Sequence, residues 1–505
     1  MRQGDPVVVI GAGPAGLTAA HELVATQPVV VLEQDGVVGG LARTVEHGGF
    51  RFDIGGHRFF TKVPVVQQFW HAILGDDLLR RPRLSRIYYR GKFFDYPLRP
   101  FNALRNLGIL TSLAVVASYV RSQLFPIRPE RSVADWVSNR FGRRLFLIFF
   151  KTYTEKVWGI PCETIGAEWA AQRIKGLSLG TAVLNMLMPS RNKDGAIKTL
   201  IDEFEYPRLG PGMMWEAVRA RVEQAGGTVR LDSRTVAIHH DGTRVHAVEV
   251  ERHGERAMQP AHHVISTMPL RDLITGLVPA APPDVVAAAN ALKYRDFLTV
   301  ALIVDAPAVF EDNWIYVHDD TVRVGRIQNF KNWSPEMVPD PTKTCLGLEY
   351  FCFEGDGLWT MSDADLVALG TRELAATSLV GVEAIAGGAV VRMPKAYPIY
   401  DTGYQEALLT VRSYLERFEN LQPVGRNGMH KYNNQDHSML MAMLAVRNLD
   451  GEAHDLWSIN TDDEYHEELR SHEGAGADQL SEDLRRLRET QPAVPRERPD
   501  PPGDA

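Results

Sequence analysis

The sequence predicts an α/β protein in which one parallel-sheet domain is assembled from distant segments and interrupted by two insertions, one helical and one built on an antiparallel sheet. Three observations predict it. The apolar run Val7-Val8-Val9-Ile10 leads into the turn Gly11-Ala12-Gly13-Pro14-Ala15-Gly16 and an alanine-rich helical stretch, and a second apolar run ends at Glu33. Residues 228–267 change to short alternating runs split by Asp241-Gly242 and His253-Gly254. A polar, glycine-containing stretch at 425–438 then feeds a helical apolar pattern near the C-terminus.

Each element has a reason. Strands buried on both faces read as continuous apolar runs, and a glycine turn between such a strand and a helix, with an acid about 20 residues on, is the Rossmann-type dinucleotide fingerprint. Gly11 allows the tight turn, Gly13 lets the backbone approach a pyrophosphate, and Gly16 brings helix and strand together. Pro14 and Ala15 complete the cradle, and Glu33 is positioned to accept from ribose hydroxyls. Gly39-Gly40-Leu41-Ala42-Arg43-Thr44 and Phe52-Asp53-Ile54-Gly55-Gly56-His57 follow. A nicotinamide enzyme needs no second glycine pair there. This order of glycine pairs resembles that of the large FAD-dependent family of amine oxidases, protoporphyrinogen oxidases and sugar-nucleotide mutases, which implies FAD, with Arg43 near its pyrophosphate and Gly55-Gly56 near the flavin ring.

Residues 104–122, 133–141, 144–152, 168–174 and 179–188 carry helical patterns, and 363–377 and 405–418 carry two more. Strands are expected at 228–231, 235–239, 245–251 and 262–267, with hairpin turns between the alternating runs, and again at 297–304, 313–317, 323–328 and 345–352. The expected layout is a cofactor domain in three parts (1–85, 204–270 and 401–461), a helical domain at 86–203, an antiparallel-sheet substrate domain at 271–400, and a charged, Pro-rich, disordered tail at 462–505. The apolar run at 107–120 is too short to span a bilayer and reads as a buried helix, with interfacial membrane contact as the alternative.

Bulk properties exclude some classes. A formal net charge of −8 argues against a nucleic-acid partner. Three cysteines form no disulfide framework and no metal spacing, so no metal site and a reduced, cytoplasmic setting are expected. The first strand begins so early that no cleaved leader is expected.

The chain resembles UDP-galactopyranose mutases, closer to their eukaryotic branch, within the large FAD-dependent group that includes amine oxidases and protoporphyrinogen oxidases. The resemblance runs over about residues 6–450. It is carried by the two glycine segments, by Lys156-Val157-Trp158, Glu168-Trp169 and Arg173, and by Phe204-Glu205-Tyr206-Pro207. Trp314-Ile315-Tyr316, Arg326, Ala396-Tyr397-Pro398 and above all Asn434-Gln435-Asp436-His437-Ser438 complete it.

The resemblance implies that reduced FAD attacks the anomeric carbon of a sugar through N5, with a diphosphate leaving, so that a pyranose and a furanose interconvert. It implies that Arg173 and Arg326 bind the diphosphate and that Tyr316, Tyr397 and Tyr432 contact it. His57 is placed beside the flavin, and Arg426 and Asn434 close to the ring and the sugar. Gly425, Gln435 and Ser438 would close the cofactor site, and NAD(P)H is a candidate reductant. Where that family reads Tyr-Pro-Phe-Gln, this chain reads Tyr96-Pro97-Leu98-Arg99, and Thr154 replaces an Asn. A different nucleotide sugar, or a lipid-diphosphate sugar, would suit Arg99 and the apolar run at 107–120. The competing reading is an FAD oxidoreductase of the amine-oxidase or protoporphyrinogen-oxidase kind. Oligomeric state is left open.

Overall fold

The computed structural model describes residues 4–459 apart from 97, 99, 168–202 and 402. The expected helices at 168–174 and 179–188, Arg173, Arg99 and the tail all lie outside the described residues.

Five parallel strands form the first sheet, in the order Leu421–Pro423, His263–Ser266, Val7–Ile10, Val29–Leu32 and Thr228–Arg230. Its strands come from the start, middle and end of the chain, so the discontinuous layout is a property of the pairing itself. Val7, Val9, Val29 and Val31 pack beneath the helices Pro14–Leu23, Gly212–Gln224 and Gln435–Leu449, while Val8, Ile10, Val30 and Leu32 pack on the other face. Strands covered on both faces have no polar side to show, which is why they read as unbroken valine runs.

A second sheet joins Arg234–His240, Val245–Arg252 and Glu255–Pro260 as a meander, with Leu277–Val278 added in parallel. The expected hairpins are therefore present, but the outer two of the four expected strands, at 228 and 263, join the parallel sheet instead.

The largest sheet has seven strands in the order Ile385–Pro398, Tyr294–Val304, Thr344–Cys352, Arg326–Asn329, Trp314–Val317, Ser85–Tyr89 and Lys92–Asp95. Its pairs are antiparallel except for Trp314–Val317 against Ser85–Tyr89. Period-2 alternation divides its side chains between two cores. Leu298, Val300 and Leu302 face the helix Asp363–Ala376, and Phe297 and Phe351 face a helical layer with Trp136, Phe146, Phe149 and Trp158. Residues 85–95, expected at the head of the helical domain, are strands of this sheet.

The helical layer departs from expectation in two further ways. The run at 104–122 is broken at Gly108, whose φ of +80° ends the helix Pro100–Leu107 before Ile109–Leu124 begins. Nor is the second helix buried: only Val115 is, while Ile109, Leu110, Leu113, Val116, Val120 and Leu124 are exposed. Residues 146–151 form a wide π-type turn between short α-helical segments. Lys151 pairs with Glu155, and Lys156 donates to the carbonyls of Val317, Asp319 and Val324. No helix among the described residues is long and apolar enough to cross a membrane.

Candidate active site

A cavity of about 1630 Å³ runs from the glycine turn of the parallel sheet to the inner face of the seven-stranded sheet. At the first end Gly11, Gly13, Pro14, Ala15, Glu33, Gly40, Leu41 and Arg43 line it. Gly16 lies behind the turn. A Cβ there would stand 1.9 Å from the Gly11 carbonyl oxygen, and one on Gly11 (φ +96°) would stand 2.0 Å from Thr267 Oγ1, so neither position tolerates a side chain. At Gly13 the nearest atom to such a carbon is Gly40 Cα at 3.8 Å, and the space beyond is cavity.

Glu33 holds the turn in shape: its Oε2 accepts from Ala12 N–H at 2.6 Å and its Oε1 from Asp35 N–H at 2.9 Å. Burial raises its carboxyl above the ordinary range while those two bonds pull the other way. Each oxygen keeps acceptor capacity toward the cavity. Arg43 pairs with Asp35 at 2.5 Å.

Gly55, Gly56 and His57 line the middle of the cavity. Nδ1 of His57 is buried and has no hydrogen-bond partner among the described residues. Burial first, then the guanidiniums of Arg426 and Arg326, push its pKa down to about 3, so the imidazole is neutral at physiological pH. Asp53 is fully buried and accepts from Tyr206 Oη at 2.6 Å and from Thr44 Oγ1 at 3.3 Å; burial raises its pKa to about 8 against those hydrogen bonds.

The closing turn is fixed by its own polar groups. Arg426 donates from Nε to the Asn433 carbonyl at 2.9 Å and from Nη1 to the Ala396 carbonyl at 3.0 Å. Asn427 donates to the Lys395 carbonyl at 2.9 Å, and Tyr400 Oη accepts from Tyr432 N–H at 2.6 Å. Asn434 caps the helix Gln435–Leu449, whose first turn, with Gln435 and Ser438, lines the cavity. The positive end of the helix dipole favours an anion or a ring carbonyl there.

At the far end, Arg326 lies directly opposite Glu349 in the antiparallel ladder and pairs with it through Nε. Gln328 Nε2 donates to the other carboxylate oxygen. Burial opposes charge on Arg326, but Glu349 and the surrounding phenols outweigh it and hold the guanidinium well above its ordinary value. Arg326 Nη2 donates to Tyr397 Oη at 3.4 Å. Tyr397 stacks on Tyr432 with ring centres 5.7 Å apart, and Arg426 lies 4.8 Å over Tyr432. Burial raises the Tyr397 phenol to about 12, so it stays a hydrogen-bond donor.

Thus His57, Arg326, Tyr316, Tyr397, Tyr432 and Asn434 all line one cavity with Gly425 and Arg426. Trp314 and Tyr316 part company: Trp314 is core, stacked on Trp333, and Tyr316 faces the cavity.

Sequence reasoning missed Tyr153, His318 and Glu349. Tyr153 meets Tyr316 edge-on at 5.5 Å and stacks on His318 at 4.8 Å. Its spacing from Lys156 on a short helix carried no signal. Glu349 did carry one, because a carboxylate inside the apolar strand 344–352 must have a buried partner.

A discontinuous parallel-sheet domain, opening through two glycine turns onto a cavity with a helix N-terminus at its far wall, defines a flavin-binding α/β enzyme. The turn that excludes side chains at Gly11 and Gly16, yet leaves Gly13 open, fits the pyrophosphate of that cofactor. The chain belongs to the family described as flavin containing amine oxidoreductase, which matches residues 14–385. In fold it is similar to reduced UDP-galactopyranose mutase, with a TM-score of 0.77 and 22% identity, covering 90% of this chain and 98% of that one. It is also similar to putrescine oxidase bound to putrescine, with a TM-score of 0.57 and 16% identity over 89% and 99% of the two chains. A phytoene dehydrogenase of Streptomyces griseus is 43% identical over 94 residues, a match spanning 18% of each protein.

Proposed function

We propose that this flavoenzyme interconverts the ring forms of a sugar carried on a diphosphate, either a nucleotide sugar or a lipid-diphosphate sugar. The observation that carries the reading is the convergence of Arg326 and Arg426 with Tyr153, Tyr316, Tyr397 and Tyr432 on one partly apolar cavity. When bound in its reduced form, FAD supplies the nucleophile at N5. The turn 11–16, Glu33, Arg43, Gly55-Gly56 and the first turn of Gln435–Leu449 would hold it.

The chain's own residues then have separable tasks. Arg326 keeps a fixed positive charge where a diphosphate departs, and the phenols donate to its oxygens without ionising. Neutral His57 cannot act as a cationic acid at pH 7, so it accepts or relays a proton or simply fills the space beside the ring. Phe149, Phe150 and Phe351 exclude water from the same cavity, which strengthens each of these contacts. By the resemblance Arg173 would add a further cation, and NAD(P)H would serve as reductant.

The second reading, net oxidation of an amine or similar substrate, is favoured by the family membership and by the apolar part of the cavity. One experiment separates the two. The protein is reduced anaerobically, given a panel of nucleotide sugars, and the sugars are resolved by ring form; in parallel, the oxidised protein is given amines under air. Ring interconversion without oxygen uptake supports the mutase reading, and oxygen uptake with no sugar turnover overturns it. Arg326→Ala should weaken nucleoside diphosphate binding by about 10- to 100-fold, the worth of charge-assisted hydrogen bonds. Unchanged binding would remove the diphosphate from this end of the cavity.

A further inference from the structure

We infer that the helix Ile109–Leu124 and the loop that follows it form a docking surface for an anionic lipid bilayer, on which the protein lies without crossing. At 100° per residue, Ile109, Leu110, Leu113, Val116, Val120 and Leu124 fall within an arc of about 120°. That arc faces solvent, with Leu110 at 84% exposed, Ile109 at 80%, Leu124 at 68% and Leu113 at 62%. Phe125 continues it at 73% and Ile127 at 40%. Val115, the one buried residue of the helix, points the opposite way.

The helix is held by its polar edge. Gln123 donates to the Asn139 carbonyl at 2.7 Å, Ser118 Oγ accepts from Arg144 N–H at 3.0 Å, and the backbone at Gly142 is in close approach to Tyr119. An amphipathic helix that binds its own protein through hydrogen bonds and turns its leucines outward is inverted relative to a globular surface helix.

Charge selects the occupant. Residues 100–150 contain seven arginines and two acids in a chain of formal net charge −8. Both acids are already engaged, Glu130 with Arg140 and Asp135 in a helix cap. Arg105, Arg121, Arg128, Arg131, Arg143 and Arg144 are exposed. An apolar strip about 24 Å long, 16 residues at 1.5 Å each, with Arg121 at its edge on the helix and further exposed arginines in the same segment, matches the interface between acyl chains and anionic headgroups. The inference stands whether the enzyme is a mutase or an oxidoreductase.

The test is flotation of the flavin-loaded full chain with vesicles of phosphatidylcholine alone and of phosphatidylcholine mixed with phosphatidylglycerol. The expected result is retention on the mixed vesicles, weakened by salt and weaker on phosphatidylcholine alone. Leu110→Glu/Leu113→Glu should reduce that binding at least tenfold with flavin content and melting unchanged, since both side chains are already in water. Equal binding by the variant, or none by the wild type, overturns the inference. So does a wild-type dimer in size exclusion that the double substitution converts to monomer, which would assign the face to a second copy.

Discussion

Removing the carboxylate of Glu349 tests how the far end of the cavity is built. Glu349 is fully buried, and it faces Arg326 across the strand pair with its two oxygens taken by Arg326 and Gln328. Glu349→Ala leaves a guanidinium whose side chain is only 21% exposed without its partner. Breaking one side of a buried pair costs about 3–5 kcal/mol, most of it the uncompensated charge. Glu349→Gln keeps the volume and one acceptor, so it should cost about 1.5–3 kcal/mol, the value of a hydrogen bond to a charged group.

Guanidinium chloride unfolding followed by tryptophan emission, with wild type and both variants at equal slope, gives the comparison. A second arm adds a nucleoside diphosphate. If Arg326 faces that ligand, an anion should recover more stability in Glu349→Ala than in wild type, because it replaces the missing carboxylate. Stability of the Ala variant within about 1 kcal/mol of wild type would show that Arg326 is already satisfied by solvent and would refute the reasoning. Equal rescue in both proteins would refute the ligand's place beside Arg326.

Gly13→Ala meets no atom of the described residues nearer than 3.8 Å, so it should fold normally yet lose at least about tenfold in FAD affinity, as overpacking at a contact costs about 1–3 kcal/mol; full flavin occupancy would place the pyrophosphate elsewhere. Asp53 sits at about 8 against an ordinary 3.8. A raised folded value favours the protonated native state, so this contribution is full below about pH 4 and is lost as pH rises toward 8, at up to about 1.4 kcal/mol per unit. Asp53→Asn should remove that downward slope in a difference plot of stability against pH, and identical slopes would show that Asp53 is ionised in the folded protein. His57 and His318 are each pushed down to about 3 by burial first. Their stabilisation is present above about pH 6.5 and lost as pH falls toward 3, so His318→Phe should flatten the acid limb of unfolding, and an unchanged limb would show His318 accepting a proton in place.

How legible each part was depends on what surrounds it. The parallel sheet could be read because its strands are covered on both faces, so nothing interrupts the valines, and because the Gly11–Gly16 spacing leaves no other residue that fits. The seven-stranded sheet was legible only at its centre. Its edge strand Ile385–Pro398 contains Gly387, Gly388 and Pro394, which read locally as loop, and Ser85–Tyr89 gains its place only by pairing with Trp314–Val317, more than 200 residues away. No local pattern specifies such a contact.

The helix Ile109–Leu124 shows the converse failure. Apolar residues at helical spacing predicted burial, yet periodicity reports only that one face differs from the other, not which face the protein keeps. Here Ser118 and Gln123 bond to the protein, and Arg121 stands next to the leucines on the helix surface. Among the described residues this strip stays exposed, while Leu298, Val300, Leu302 and Leu348 on the opposite face of the seven-stranded sheet are completely buried. An exposed apolar strip in an arginine-rich segment is the pattern an anionic bilayer engages, with the leucines among acyl chains and the guanidiniums at the headgroups.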